Sequence, residues 1–335
     1  MTAAPALYAA TPSISINSSP SARMTDSLSE LVVDESTEGL VVCEASFDNV
    51  GPGGDNHGYQ LFTRDVFDFG TTLDVIAGAG QGAGSIFSGQ VTGMRAEFPA
   101  DGNPTMVILA DDRLHTLRAT RRTRMFENRT DADVFGEIAS DHRLVADIDL
   151  PGPTHRVIAQ IDQSDLAFIR SRARRIGAEV WVSGDTLHVA SRASRRGDPV
   201  LLSNRQNLLE ASIGADLAHQ HTSFTVGGWD PGTKQAIEVT ADEAALASER
   251  LGGGTSAAEV LARTFGEQPG RLVHAIPLGV DEAKSVAEAQ FLGMARRFVS
   301  GDLVAAGDAR LRVGARVELS GLGQWFSGHY DVVGA

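Results

Sequence analysis

The 335 residues exceed what one hydrophobic core commonly holds, so the chain is expected to divide into two or more domains. Lysine and arginine number 29 against 43 aspartates and glutamates, and the net charge of -14 argues against a general nucleic-acid binder. Cys43 is the only cysteine, which excludes an intrachain disulfide and a thiolate metal cluster, and no window reaches the length of a membrane span. Since the N-terminus also lacks a basic region ahead of an apolar block, the expectation is a chain made in the cytoplasm.

From about Leu7 to Leu117, short apolar runs such as "ALYAATPSISIN", "EGLVVCEASFDN", "QVTGMRAEF" and "TMVILA" are cut by Gly, Pro, Asn and Asp. This pattern predicts a β-rich, barrel-like first domain over residues 1–120. Within it, "LDVIAGAGQGAGSIFSG" runs from an apolar strand into a glycine turn, and Gly78, Gly80 and Ala83 fit G-x-G-x-x-G/A. A dinucleotide site needs a helix next, whereas "SIFSGQVTGMRAEF" has β-branched and aromatic residues and no helical spacing. A hairpin turn is therefore preferred, with a nucleotide- or ligand-binding turn at Gly78 to Gly84 as the alternative.

Residues 121–198 read as a small α+β subdomain of two helices and a hairpin. Thr130 and Asp133 form a capping box ahead of Val134 and Ile138. Ser164 caps a second helix whose apolar face carries Leu166, Ile169, Ala173 and Ile176, and Gly177 ends it. The alternating runs in "AEVWVSGDTLHVAS" meet at a turn of Ser183, Gly184 and Asp185. Residues 199–335 read as a second β-barrel-like domain, from "QNLLEASIG", "HQHTSFTVGGW" and "KQAIEVTA", with helical insertions at about 241–300. There Ala287, Phe291, Met294 and Phe298 make a stripe suited to a core. Leu311, Val313, Ala315, Val317 and Leu319 alternate as a strand before a glycine turn and a return strand. Because the sequence stops on that apolar strand, a natural chain continuing beyond Ala335 is expected.

Signatures of chemistry are scarce. Neither Lys234 nor Lys284 follows a glycine as a P-loop requires, and G-x-S-x-G and H-E-x-x-H are absent. His219 and His221 at i, i+2 suit one face of a strand and a zinc ion, but no third ligand is evident beyond Asp216 and Asp230, nearby in sequence. Hydrogen-bonded or solvent-facing histidines are the other reading. Arg113, Arg118, Arg121, Arg122, Arg124 and Arg129 could meet phosphates, yet Phe126 is the only ring among them and acids flank the run. Ion pairs within a subunit or across an interface are therefore favoured. Asp162, Asp165, Glu179 and Asp185 have no spacing that demands an acid/base pair, and capping and turns account for Asp165 and Asp185. No catalytic, cofactor-binding or metal-ligating residue is assigned. In "GGWDPG", Pro231 and Gly232 favour a turn and Trp229 offers a large apolar surface for barrel packing or a protein contact.

Several segments in fixed order resemble one family, the phage late control D proteins of the tail baseplate hub, and the related hub portion of type VI secretion and contractile-injection spikes. They are "IFSGQVTGM" with "LADDRLHTLR", then "FENRTDADVFGEIA" with "QIDQSDLAFIRSRARRIGAEVWVSGDTLHV", then "VGGWDPGTKQ" and "LRVGARVELSGLGQWFSGHYDVVGA". The resemblance implies an α+β, β-rich fold with two β-barrel domains and α+β insertions. It also implies a homotrimer adapting a sixfold tube to a threefold spike, and partners in the spike, the tube or tube-initiator protein and other baseplate proteins. It implies no cofactor, enzyme activity or nucleic-acid partner. No oligonucleotide-binding barrel, β-helix, lysozyme-like or toxin segment is visible. The strand edges near Gly321 to Ala335 are the expected joining surface.

Overall fold

The computed structural model describes residues 12–50, 58–78, 82–195, 197–249, 254–273 and 279–335. The predicted strand residues Leu7 to Thr11, and Gly80 of the glycine turn, lie outside them.

Seven strands make the first sheet: β1 (Ser13–Ile16), β2 (Ser19–Pro20), β3 (Leu28–Asp34), β4 (Val42–Asp48), β5 (Thr72–Ala77), β6 (Gly84–Glu97) and β7 (Thr105–Asp111). Their order is β2-β1-β5-β6-β7-β4-β3, and every pairing is antiparallel. Alternation sets the faces: Cys43, Ala45 and Phe47 of β4 are fully buried, as are Leu73 and Val75 of β5. The two edge strands are joined directly by the six-residue helix α1 (Ala22–Ser27), capped by Ser21. Laid flat, seven strands would hold β2 and β3 roughly 29 Å apart, whereas α1 is only about 9 Å long. The sheet must therefore roll into a barrel with α1 across its seam, where Met24 enters the core beside Ile14 and Phe47.

After α2 (His115–Arg118), β8 (Arg121–Arg129) pairs with the distant β10 (His155–Ser164) as a two-stranded ribbon that sequence patterns did not reveal. The predicted helices are present as α3 (Asp131–Asp141), with the reciprocal Thr130–Asp133 capping box, and α4 (Asp165–Arg175), capped by Ser164 and followed by Gly177 at φ 73°. The predicted hairpin is β11 (Ala178–Ser183) with β12 (Thr186–Ser191), turning at Gly184 and Asp185. β9 (Val145–Asp149) adds a parallel strand to β12, and α5 (Arg192–Arg195) follows. One core joins these pieces, through Phe126, Phe135, Ile138, Ile158, Ile169 and Leu187.

The last third has two cores. β15 (Ser223–Asp230), β16 (Gln235–Ala241) and β17 (Pro269–Leu272) form a sheet covered by α7 (Val280–Ala295), while a 3-10 turn (Glu243–Ser248) and α6 (Ala257–Phe265) lie alongside. Phe224, Val226 and Ile237 meet Val286, Ala287 and Phe291 there. The predicted stripe therefore belongs to a core, but Phe298 lies outside it because α7 stops at Ala295. The other core holds Val200, Leu202, Leu208, Val317 and Leu319. It lies between the sheet of β13 (Val200–Ser203), β19 (Arg316–Ser320) and β20 (Gly328–Asp331) and the pair β14 (Leu208–Ala215) with β18 (Val299–Ala305). The expected strand from Leu311 starts only at Arg316, because the chain turns at Gly314 with φ 87°; the short α8 (Gly323–Phe326) then precedes β20. The fold class is α+β and β-rich, as the patterns indicated.

Candidate functional site

The residues singled out for chemistry are structurally occupied. β5 and β6 pair antiparallel on either side of the glycine turn, Ala77 opposite Gly84, so a strand and not a helix follows it. Gly78 has φ 94°, and a Cβ there would collide with the Gly82 carbonyl, which gives the glycine a turn role. His219 and His221 both precede β15: His219 is exposed in a turn, and His221 sits 3.2 Å from the Gln268 carbonyl. No group of three metal-ligating side chains occurs among the described residues. Asp216 and Asp230 accept backbone N–H groups of their own turns, from Ala218 and Gly232. Trp229 is 49% exposed and outside every buried cluster, so the packing half of its expected role is corrected.

Apart from Arg129, the arginine run is spent on intramolecular ion pairs, as preferred from the sequence. Arg113 meets Asp185, Arg118 meets Asp111 and Arg121 meets Asp162. Arg122 and Arg124 converge on Asp141 and on the buried Asp165. Burial alone would raise the Asp165 pKa, but hydrogen bonds from His142 and Gln160 and the charges of Arg124 and Arg122 outweigh it and hold the carboxyl below its usual range. Asp165 thus anchors α4 to the ribbon, and no second carboxylate pairs with it as an acid/base partner would. Glu179 is likewise held, by Arg192 and Arg195.

The arrangement that stands out is a joint at the loop between β3 and β4. Glu35, 7% exposed, accepts from Arg312 Nε at 2.6 Å and lies 3.7 Å from Arg195, which also reaches Glu179 at 3.3 Å. The Arg195 guanidinium stacks 4.4 Å over the Trp181 ring. Gly314 lies against the same guanidinium, leaving no room for a Cβ. Glu35 and Ala335 exchange both backbone hydrogen bonds, each 2.9 Å, and the Thr37 N–H donates to the Val333 carbonyl. Further along, Arg170 donates to the Gly39 carbonyl, and Asp112 accepts the Val41 and Leu114 N–H groups. One loop thereby receives contacts from all three thirds of the chain. Of the edge expected from Gly321 to Ala335, Val333 to Ala335 are covered by this chain's own loop, while β20 keeps a free edge among the described strands.

Among the described residues, two of the uncovered surfaces carry free strand edges. One is an open trough of about 1350 Å³ between β18 and β20, walled by Leu303, Ala305, Leu311, Leu319, Tyr330 and Val332. β18 pairs only with β14 and β20 only with β19, so each has a free edge among the described strands. The other is the outer face of the ribbon, where Met125, Val157 and Ile161 are 68%, 51% and 68% exposed and both long edges are unpaired. Trp325, 80% exposed on α8, projects from the end of the C-terminal sheet.

Solved structures with this architecture include tail proteins. The chain is similar to a prophage tail protein from Shewanella oneidensis, with TM-score 0.69 and 11% identity over 97% of this chain and 92% of that one. It is similar to a tail protein from Neisseria meningitidis, with TM-score 0.66 and 13% identity over 98% and 91%. A prophage tail protein from Listeria monocytogenes matches at TM-score 0.59 and 11% identity over 97% and 89%. At such identities the likeness is one of fold: this is a protein with the prophage tail-protein fold. The chain belongs to the family described as the Alg8 N-terminal domain, which matches residues 51–335. No curated protein matches it.

Proposed function

We propose that the chain is a structural hub of a contractile phage tail or phage-like injection particle, a homotrimeric adaptor between a sixfold tube and a threefold spike. The observation that supports this best is that the tail-protein fold covers the chain almost end to end, at 97% and 98% of its length, so little is left for a separate catalytic unit. The reading takes residues 1–120 as a first barrel domain, 121–198 as the α+β subdomain and 199–335 as a second barrel-like domain with helical insertions. Each chain then presents two β-rich units and three chains present six, which reconciles threefold with sixfold symmetry. The joint at Glu35 supports it mechanically, since an adaptor that transmits force needs its units fixed to one another. In this reading the chain is not an enzyme and uses no cofactor, metal or nucleic acid, and its partners are the spike, the tube or tube-initiator protein and other baseplate proteins. No helix among the described residues is long and apolar enough to cross a membrane. The nucleotide alternative at Gly78 to Gly84 loses its premise, because β6 follows the turn as a strand.

The test is light scattering coupled to size exclusion on the purified chain, with and without the neighbouring spike protein, followed by electron microscopy of the intact particle. A trimer that occupies the centre of the particle is expected. A chain that is monomeric in both preparations, or absent from the particle centre, overturns the reading.

A further inference from the structure

Three aromatic side chains meet at the end of the first barrel that lies away from the joint. β4 leaves the joint loop at Val42 and runs seven residues to Asp48, a rise of roughly 20 Å. The β6–β7 tip, residues 98–104, lies beside that far end, because Thr105 is paired with Asp48 on one side and with Glu97 on the other. There the exposed Phe98 has its ring centroid 6.0 Å from that of Tyr59 and 5.2 Å from that of Phe62, and Tyr59 and Phe62 are 5.2 Å apart. The backbone under the rings is fixed. Tyr59 bridges Val50, the Gln60 N–H donates to the Asn49 carbonyl at 3.0 Å, Arg23 donates to the Gln60 carbonyl at 2.6 Å, and Leu61 is buried in the barrel core. The aromatic surface is thus preorganised for a contact.

The charges around the rings are mostly negative. Asp48, Asp101 and Asp65, three residues after Phe62, are exposed and make no ion pair among the described residues. Arg95 is shared by Glu97 and Glu44, and Arg23 is engaged by Gln60, which leaves Arg64 as the unpaired cation of these segments. Exposed rings beside free carboxylates suit a guanidinium or ammonium ion, whose face meets a ring and whose N–H groups meet the carboxylates. The same charges repel phosphate, in nucleic acid or in a lipid headgroup. A second copy is a poor source of cations, since the chain carries -14 and most of its arginine run is held by its own carboxylates. We propose that this end of the first barrel docks a basic segment of a different protein, one with arginine or lysine next to apolar residues. An arginine of that segment stacks on Phe98 and reaches Asp48 or Asp101, while its apolar neighbours cover the rest of the ring cluster. The site does not require the ring of three chains; under the hub reading its occupant is a neighbouring baseplate protein.

The experiment is fluorescence anisotropy on the full chain with a labelled synthetic peptide of alternating arginine and leucine, and with a glutamate–leucine peptide as its opposite. Three variants are compared with the wild type: Phe98→Ser, Asp48→Asn with Asp101→Asn, and a control that removes two exposed carboxylates elsewhere, Glu210→Gln with Glu267→Gln. All five positions are exposed, and circular dichroism checks that each variant folds. The arginine peptide should bind the wild type and weaken with added salt. Phe98→Ser should weaken it by about tenfold and the aspartate pair by about fivefold, with the control within about twofold. A wild type that binds both peptides alike, or a control that loses as much as the aspartate pair, means general attraction to an acidic chain and overturns the site. Light scattering on Phe98→Ser gives a separate check, since a changed oligomeric state would make this end a contact between copies and overturn the proposal too. Absence of the chain from the centre of the particle overturns the hub reading alone and leaves the docking site standing.

Discussion

Asp112 shows how one buried carboxyl is tuned. Burial pushes its pKa up to about 6, against the partial relief of the Val41 and Leu114 N–H groups and the Arg170 charge. The folded chain therefore holds this proton more tightly than the unfolded chain, whose carboxyl titrates near 4. Its stabilising contribution is complete below about pH 4 and is lost as the pH rises through 6, on the order of 3 kcal/mol in all. Asp131 and Asp165 run the other way. Burial raises each, but hydrogen bonds and arginine charges prevail and lower the pKa, so their stabilisation is lost as the pH falls below the usual carboxylate range. Urea titrations from pH 4 to 7 should show stability falling with rising pH, and Asp112→Asn should flatten that slope. An unchanged slope in the variant would assign it to other groups.

At the scale of single elements, local sequence rules worked where both partners lie within a few residues. The Thr130 hydroxyl accepts the Asp133 N–H at 3.1 Å, and the Asp133 carboxylate accepts the Thr130 N–H at 2.9 Å, closing the first turn of α3. Thr130→Ala should cost about 1 kcal/mol in urea unfolding, with spectra otherwise unchanged. A loss below the error of the measurement would mean that packing of Phe135 and Ile138 alone holds the helix start. The same rules failed for Leu311 to Ala315, which alternate like a strand but form a turn. There the Arg312 side chain and the Val313 N–H are drawn to Glu35, some 277 residues away, and that pull overrides a β pattern.

For the whole molecule the joint is decisive, because Glu35 neutralises arginines from two other regions in a site with little water. Glu35→Ala would leave Arg312 and Arg195 without that partner and should cost roughly 2–4 kcal/mol. Limited proteolysis should then cut the loop between β3 and β4 faster than in the wild type. Equal stability together with equal cleavage rates would show that the Ala335 backbone pairing alone suffices.

The sequence by itself determined the β-rich α+β class, the two capped helices of the middle region, the β11–β12 hairpin and the strand after the glycine turn. Each is written in residues that touch within one helical turn or one hairpin, where spacing and geometry are nearly the same thing. It also favoured ion pairs for the arginine run, since acids flank it, but could not say which. Only the tertiary structure decided that β8 pairs with β10 across α3 and β9, that β9 lies parallel to β12, and that Glu35 meets Arg312 and Arg195. A guanidinium suits any carboxylate and a free strand edge any other. The choice among them is made by which cores pack together, a property of the folded chain that spacing along the sequence does not carry.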